Sequence, residues 1–84
     1  MPRRRRLLWL EVATQQYESL PADVRDLVDE RLETLLADPT PPESVYGERF
    51  DQHSVAIGAH GLLLYAVVAE PPSLIVLRLA FPFV

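Results

Sequence analysis

Apolar positions along the chain change their spacing as one reads from the N-terminus, and the changes mark out strands and helices. Leu7 to Val12 is a short apolar run with Trp9 and the leucines spread over both faces, which predicts a first strand. Thr14 to Ser19 is weakly amphipathic and reads as a short helix with Tyr17 and Leu20 turned inward. From Val24 the apolar residues recur as Val24, Leu27, Val28, Leu32, Leu35 and Leu36, the stripe of a longer helix buried on one side. Leu20-Pro21 starts it. Proline at the first helical position gives up no hydrogen bond, and Asp23 and Asp26 put negative charge where the helix dipole favours it. Asp38-Pro39 stops it, because the residue before proline is pushed out of the helical region. The outer face carries Asp26, Asp29, Glu30 and Glu33, with Arg25 and Arg31 placed for pairs one turn away.

The rest of the chain reads as strands. Thr40 to Glu48, with Pro41, Pro42 and Gly47, is a loop stiffened by proline. In Ser54 to Val68, Val55 and Ile57 alternate with Ser54 and Ala56, and Gly58-Ala59-His60-Gly61 supplies a turn. Leu62 to Val68 then runs almost without interruption as apolar residues, the expectation for a strand covered on both faces. Glu70-Pro71-Pro72-Ser73 is a second turn, and Leu74 to Phe81 a last strand whose one charge is Arg78. The predicted order is β-α-α-β-β-β. It is an α+β domain over residues 1–84, with two N-terminal helices packed on one face of a small antiparallel sheet and the first strand at its edge.

Composition narrows the function classes. At 84 residues, 49% hydrophobic and 24% charged, the chain is ordinary globular material. Without cysteine it has neither a disulfide frame nor a thiolate metal site, and it reads as needing no cofactor. Every basic residue is an arginine, and four of the eight are Arg3, Arg4, Arg5 and Arg6. Residues 7–84 therefore hold four arginines against twelve acids, a net charge of −8. An acidic body with a basic, flexible tip does not coat nucleic acid over a broad face, although the tip can anchor phosphate or an acidic partner. The apolar run after Arg6 ends at Glu11, shorter than a signal peptide needs, and no stretch suffices for a spanning helix. A cytoplasmic protein without a membrane partner is expected. The apolar end, with Phe81, Phe83 and Val84, is expected to leave a patch for a partner or a second copy.

The element order, with Leu20-Pro21-Ala22-Asp23-Val24-Arg25, Leu35-Leu36-Ala37-Asp38-Pro39, Val55-Ala56-Ile57-Gly58, Leu63-Leu64-Tyr65-Ala66-Val67-Val68 and Leu74-Ile75-Val76-Leu77-Arg78-Leu79, resembles the RelE/ParE toxin superfamily of bacterial type II toxin–antitoxin systems. The resemblance spans nearly the whole chain. It implies a toxin neutralised by a cognate antitoxin, acting on the ribosome and its mRNA as an endoribonuclease or on DNA gyrase, and able to form a homodimer. RelE-like members carry a cluster of lysine and arginine on the sheet. Here the matching positions hold Ser54, Ala56 and Leu62 or Leu63, and the chain ends at Val84 near the last basic position, so the RNA-cleavage set reads as degenerate. ParE-like members, which lack catalytic residues, match slightly better through Arg78.

The candidate catalytic residues are Tyr65, by family position, Arg78, and the two histidines His60 and His53, which alone here have ordinary pKa values near neutrality. Each also has a structural reading. Tyr65 fills a core strand, Arg78 pairs with Glu11 or an acid of the long helix, His60 is a solvated turn residue and His53 a strand-end residue facing with Val55 and Ile57. Two histidines seven apart lack the third ligand a metal needs. Arg3 to Arg6 are the candidate contacts for nucleic acid or partner.

Overall fold

The computed structural model describes residues 5–59 and 61–82. Its elements are β1 (Arg6–Trp9), α1 (Glu11–Glu18), α2 (Ala22–Ala37), β2 (Val45–Gly47), a 3-10 turn at Glu48–Phe50, β3 (Gln52–Ile57), β4 (Gly61–Val68) and β5 (Ser73–Ala80). Among the described residues the strands form one five-stranded sheet in the order β1-β5-β4-β3-β2. The two helices cover one face of it, α1 against β5 and α2 against β3. The architecture is α+β, with a mixed sheet.

The core lies between these layers. Val28, Leu32 and Leu35 of α2, Ala13 of α1 and Leu20 between the helices meet Val55, Ile57, Leu63, Tyr65, Leu74, Val76 and Leu79 from the sheet. The three final strands are the antiparallel meander that the alternation predicts, with Val55 opposite Leu63 and Leu63 opposite Leu79. Pairing slips once. Leu64 faces Arg78, whereas Tyr65 faces Val76, so Leu77 is the extra residue of a bulge in β5.

Several expectations are corrected. The sheet is not wholly antiparallel: β1 runs parallel to β5, with Leu7 opposite Leu74 and Trp9 opposite Val76. The predicted Thr40–Glu48 loop contains a strand, β2, which pairs with β3 through Tyr46 and His53. The first strand stops at Trp9, because Leu10 donates its amide to Val76 while accepting the Thr14 amide, so α1 begins at Glu11. Pro21 is the extended N-cap of α2 rather than its first helical residue, and Leu27 falls outside the buried stripe. Leu62 to Val68 is covered on one face only, with Leu63 and Tyr65 buried but Leu62 40% exposed. In the final strand Leu74, Val76 and Leu79 are buried and Phe81 packs against the cluster, while Ile75, Leu77 and Ala80 are half-buried. Phe83 and Val84 lie outside the described residues, as do Arg3, Arg4 and His60. Of the basic tip, Arg5 and Arg6 lie among the described residues. Arg6 opens β1, with its amide bonded to Pro72, and the Arg5 guanidinium reaches the Val68 carbonyl at 3.4 Å. Among the described residues no helix is long and apolar enough to cross a membrane.

Candidate functional site

The sheet divides the sequence-derived site residues between its two faces. Along β4, Leu63 and Tyr65 point to the helices, so Leu62, Leu64, Ala66 and Val68 point away. Register adds Ser54 and Ala56 of β3, Val45 of β2, Ile75, Arg78 and Ala80 of β5, and Leu8 of β1 to that open face. Val45 is 65% exposed, and Leu8 and Leu62 each 40%. Arg78 is the only charged residue in β3, β4 or β5. It is exposed and, among the described residues, makes no ion pair; the expected bridge to Glu11 does not form. The bulge beside it lets β5 turn Arg78 to solvent while keeping Leu79 in the core. A cation set in an apolar surface is the chemical character of this face.

Beside Arg78, a cleft of about 380 Å³ separates the end of α1 from the end of β5, lined by Gln16, Ser19, Leu20, Phe81 and Pro82. β1 is too short to pair with this part of β5. The Gln16 side chain replaces it, its carbonyl oxygen accepting the Leu79 amide at 2.8 Å.

On the helix side, three rings form a row across β2, β3 and β4. Tyr46 and His53 lie 5.0 Å apart and tilted; His53 and Tyr65 are 5.3 Å apart and stacked within 18° of parallel. Tyr65 is fully buried and donates its hydroxyl to the Pro39 carbonyl at 2.7 Å, beneath the loop that follows α2. Burial, above all, pushes its pKa up, so the phenol is a fixed neutral donor. Tyr46 is exposed, and its hydroxyl bonds Asp51 at 2.6 Å, which raises its pKa. This row was not legible in the sequence beyond the parity that puts His53 with Val55; Tyr46 belongs to a strand read as loop.

The structure therefore brings His53 and Tyr65 together and carries Arg78 on the opposite face. Arg5 and Arg6 stand at the start of β1, the edge strand, where alternation puts Arg6 on the same face as Leu8. Among the described residues no cluster of three His, Asp or Glu side chains is arranged to hold a metal.

No protein-family model matches the sequence, and no curated protein matches it. Solved structures do share its fold. The YoeB/ParE toxin from Agrobacterium tumefaciens is 19% identical at a TM-score of 0.77, over 93% of this chain and 99% of that one. A chain of the intact Escherichia coli RelBE toxin–antitoxin complex is 19% identical at 0.80, over 92% and 95%. The RelBE2 toxin–antitoxin complex of Mycobacterium tuberculosis gives 20% identity at 0.81, over 94% and 99%. At such identities the likeness is one of fold, and the chain adopts the fold of the RelE/ParE toxin superfamily, as the resemblance in its sequence implies.

Proposed function

We propose that this chain is the toxin of a type II toxin–antitoxin pair, working in the cytoplasm through protein contact and neutralised by a cognate antitoxin segment laid across its open sheet face. The observation that carries this reading is the chemistry of that face: apolar side chains from all five strands around Arg78, the one charged residue of β3, β4 and β5. Phosphodiester cleavage builds negative charge that needs several cationic donors close by. Ser54, Ala56 and Leu62 offer none, which supports a degenerate RNA-cleavage set. Apolar side chains exposed together instead suit a surface that a protein covers.

Induced expression arrests growth on this reading, and coexpression of a small adjacent antitoxin-like reading frame relieves the arrest. Purified protein leaves mRNA on translating ribosomes uncut. A gyrase supercoiling assay identifies the target if it is gyrase, and sedimentation of the free chain measures any homodimer. Site-specific cleavage that disappears in Tyr65→Phe and Arg78→Ala would sink the contact reading.

The stacked His53–Tyr65 pair favours one second reading, an altered ribosome-dependent endoribonuclease. It places a titratable imidazole against a phenol. Cleavage with a pH profile that shifts in His53→Gln is its signature.

A further inference from the structure

A second aromatic feature lies away from the open face. Trp9, at the end of β1, and Tyr17, in the last turn of α1, meet at 5.2 Å between ring centroids with their planes 60° apart. They wall a groove of about 340 Å³ completed by Thr14 and Glu18. Aromatic faces carry negative quadrupole charge and attract cations.

Acidic groups outnumber basic ones around the groove, where Arg25 stands against Glu18, Asp29 and Asp26. Glu18 is exposed at its rim and, among the described residues, has no hydrogen-bond or ion-pair partner. Glu18 is also the last residue of α1, whose final turn contains no basic residue, so the negative end of the helix dipole is unopposed. Tyr17 donates its hydroxyl to Asp29 at 2.7 Å, which brings the acidic face of α2 to the groove. That bond, first among the causes, raises the Tyr17 pKa, and the raised value persists against the opposing field of Arg25. The surroundings are net acidic, as is the body of the chain at −8 over residues 7–84.

We propose that the groove between β1 and α1 receives a cationic side chain, arginine in preference to lysine, from a basic segment of a partner protein, seated against Trp9 and Tyr17 with its charge on Glu18. A planar guanidinium stacks on an aromatic face and forks onto a carboxylate in one pose, whereas an ammonium does only the second well. The choice of a basic partner rests on charge complementarity. An acidic segment would meet Glu18, Asp29 and the α1 carbonyl end together. The inference does not depend on the toxin reading, because its readout is binding alone.

Trp9 is the only tryptophan, so its fluorescence reports the groove directly. The full chain is titrated with the blocked peptide acetyl-Gly-Arg-Gly-Arg-Gly-amide, with its citrulline counterpart of the same shape but no charge, and with its lysine counterpart. A saturable change in Trp9 emission is expected with the arginine peptide, weaker with lysine and roughly fivefold or more weaker with citrulline. Glu18→Gln, a surface change that leaves the thermal melt unaltered, lowers the arginine affinity by a similar factor, and Arg78→Ala leaves it unchanged. Equal binding of arginine and citrulline peptides, full affinity in Glu18→Gln, or no saturable change would each overturn the proposal. Sedimentation of the free chain covers the other occupant. Self-association abolished by Glu18→Gln would replace the partner with the arginine tip of a second copy.

Discussion

The hydroxyl of Tyr65 and the carbonyl of Pro39 are joined at 2.7 Å, tying the middle of the sheet to the loop that leaves α2. The bond closes the far end of the core, where the helix no longer covers the strands. Removing the hydroxyl loses the bond and leaves a partly buried carbonyl without its donor. Tyr65→Phe is expected to cost roughly 1–2 kcal/mol. For a domain of this size that lowers the melting temperature by roughly 5–15 °C, read by circular dichroism. A melt unchanged in Tyr65→Phe would show that the loop is held by other contacts.

Stability should also fall at high pH. The pKa values of Tyr17, Tyr46 and Tyr65 are all raised above the ordinary 10.0. Raised folded-state values mean that the native state holds these protons more tightly than the unfolded chain does. Their contribution is therefore complete below the unfolded pKa and is lost as pH rises through the folded values. Urea unfolding is expected to show a flat contribution from these groups up to about pH 9 and declining stability above about pH 10. Tyr65→Phe should make the decline shallower, since Tyr65 is the buried member of the set; an equal slope would contradict its raised value.

Gln16 stands in for a missing strand. Its side-chain oxygen accepts the Leu79 amide where β1 has already ended. Gln16→Leu leaves that amide unpaired beside the core and is expected to cost about 1–3 kcal/mol. Gln16→Glu, which keeps an acceptor, should cost less. Hydrogen exchange at Leu79 separates this from a general loosening: the Leu variant speeds exchange there more than at Leu63 across the sheet.

Gly61 is required by a neighbour. A Cβ built on it would clash with the edge of the Phe81 ring. Gly61→Ala is expected to destabilise by about 1–3 kcal/mol through overpacking. A double-mutant cycle with Phe81→Leu tests the cause, because much of the Gly61 cost should vanish once the ring is gone.

Arg78 offers the opposite case. Being exposed and unpaired among the described residues, it should be replaceable by alanine with little change in the melt. Leu62→Asp, on the same open face, should be comparably mild for folding. If that face is a protein contact surface, both substitutions weaken partner binding in a pull-down while the monomer remains folded. Wild-type binding by both would move the contact surface elsewhere.

Where a property depended on near neighbours in the chain, it was legible in the residues themselves. The spacing of Val28, Leu32 and Leu35 marked a buried helix face, and the alternation of Val55 and Ile57 marked a strand. The glycines at 58 and 61 marked the turn, and Asp38-Pro39 the end of α2. These rest on periodicity and local sterics, which the sequence carries directly. Tertiary structure alone decided the rest. Three exposed residues inside a proline-rich loop become β2 only because β3 offers an edge, and β1 runs parallel to β5 although no short turn joins them. A bulge at Leu77 turns Arg78 to solvent and keeps Leu79 inside. His53 and Tyr65 stack across one face while Arg78 occupies the other, because side choice in a sheet is set by register between strands. Trp9 and Tyr17, read separately as a strand residue and an inward helix residue, become one groove only when α1 folds back on the sheet. Such relations come from contacts distant in sequence, and their energies leave no periodic trace along the chain.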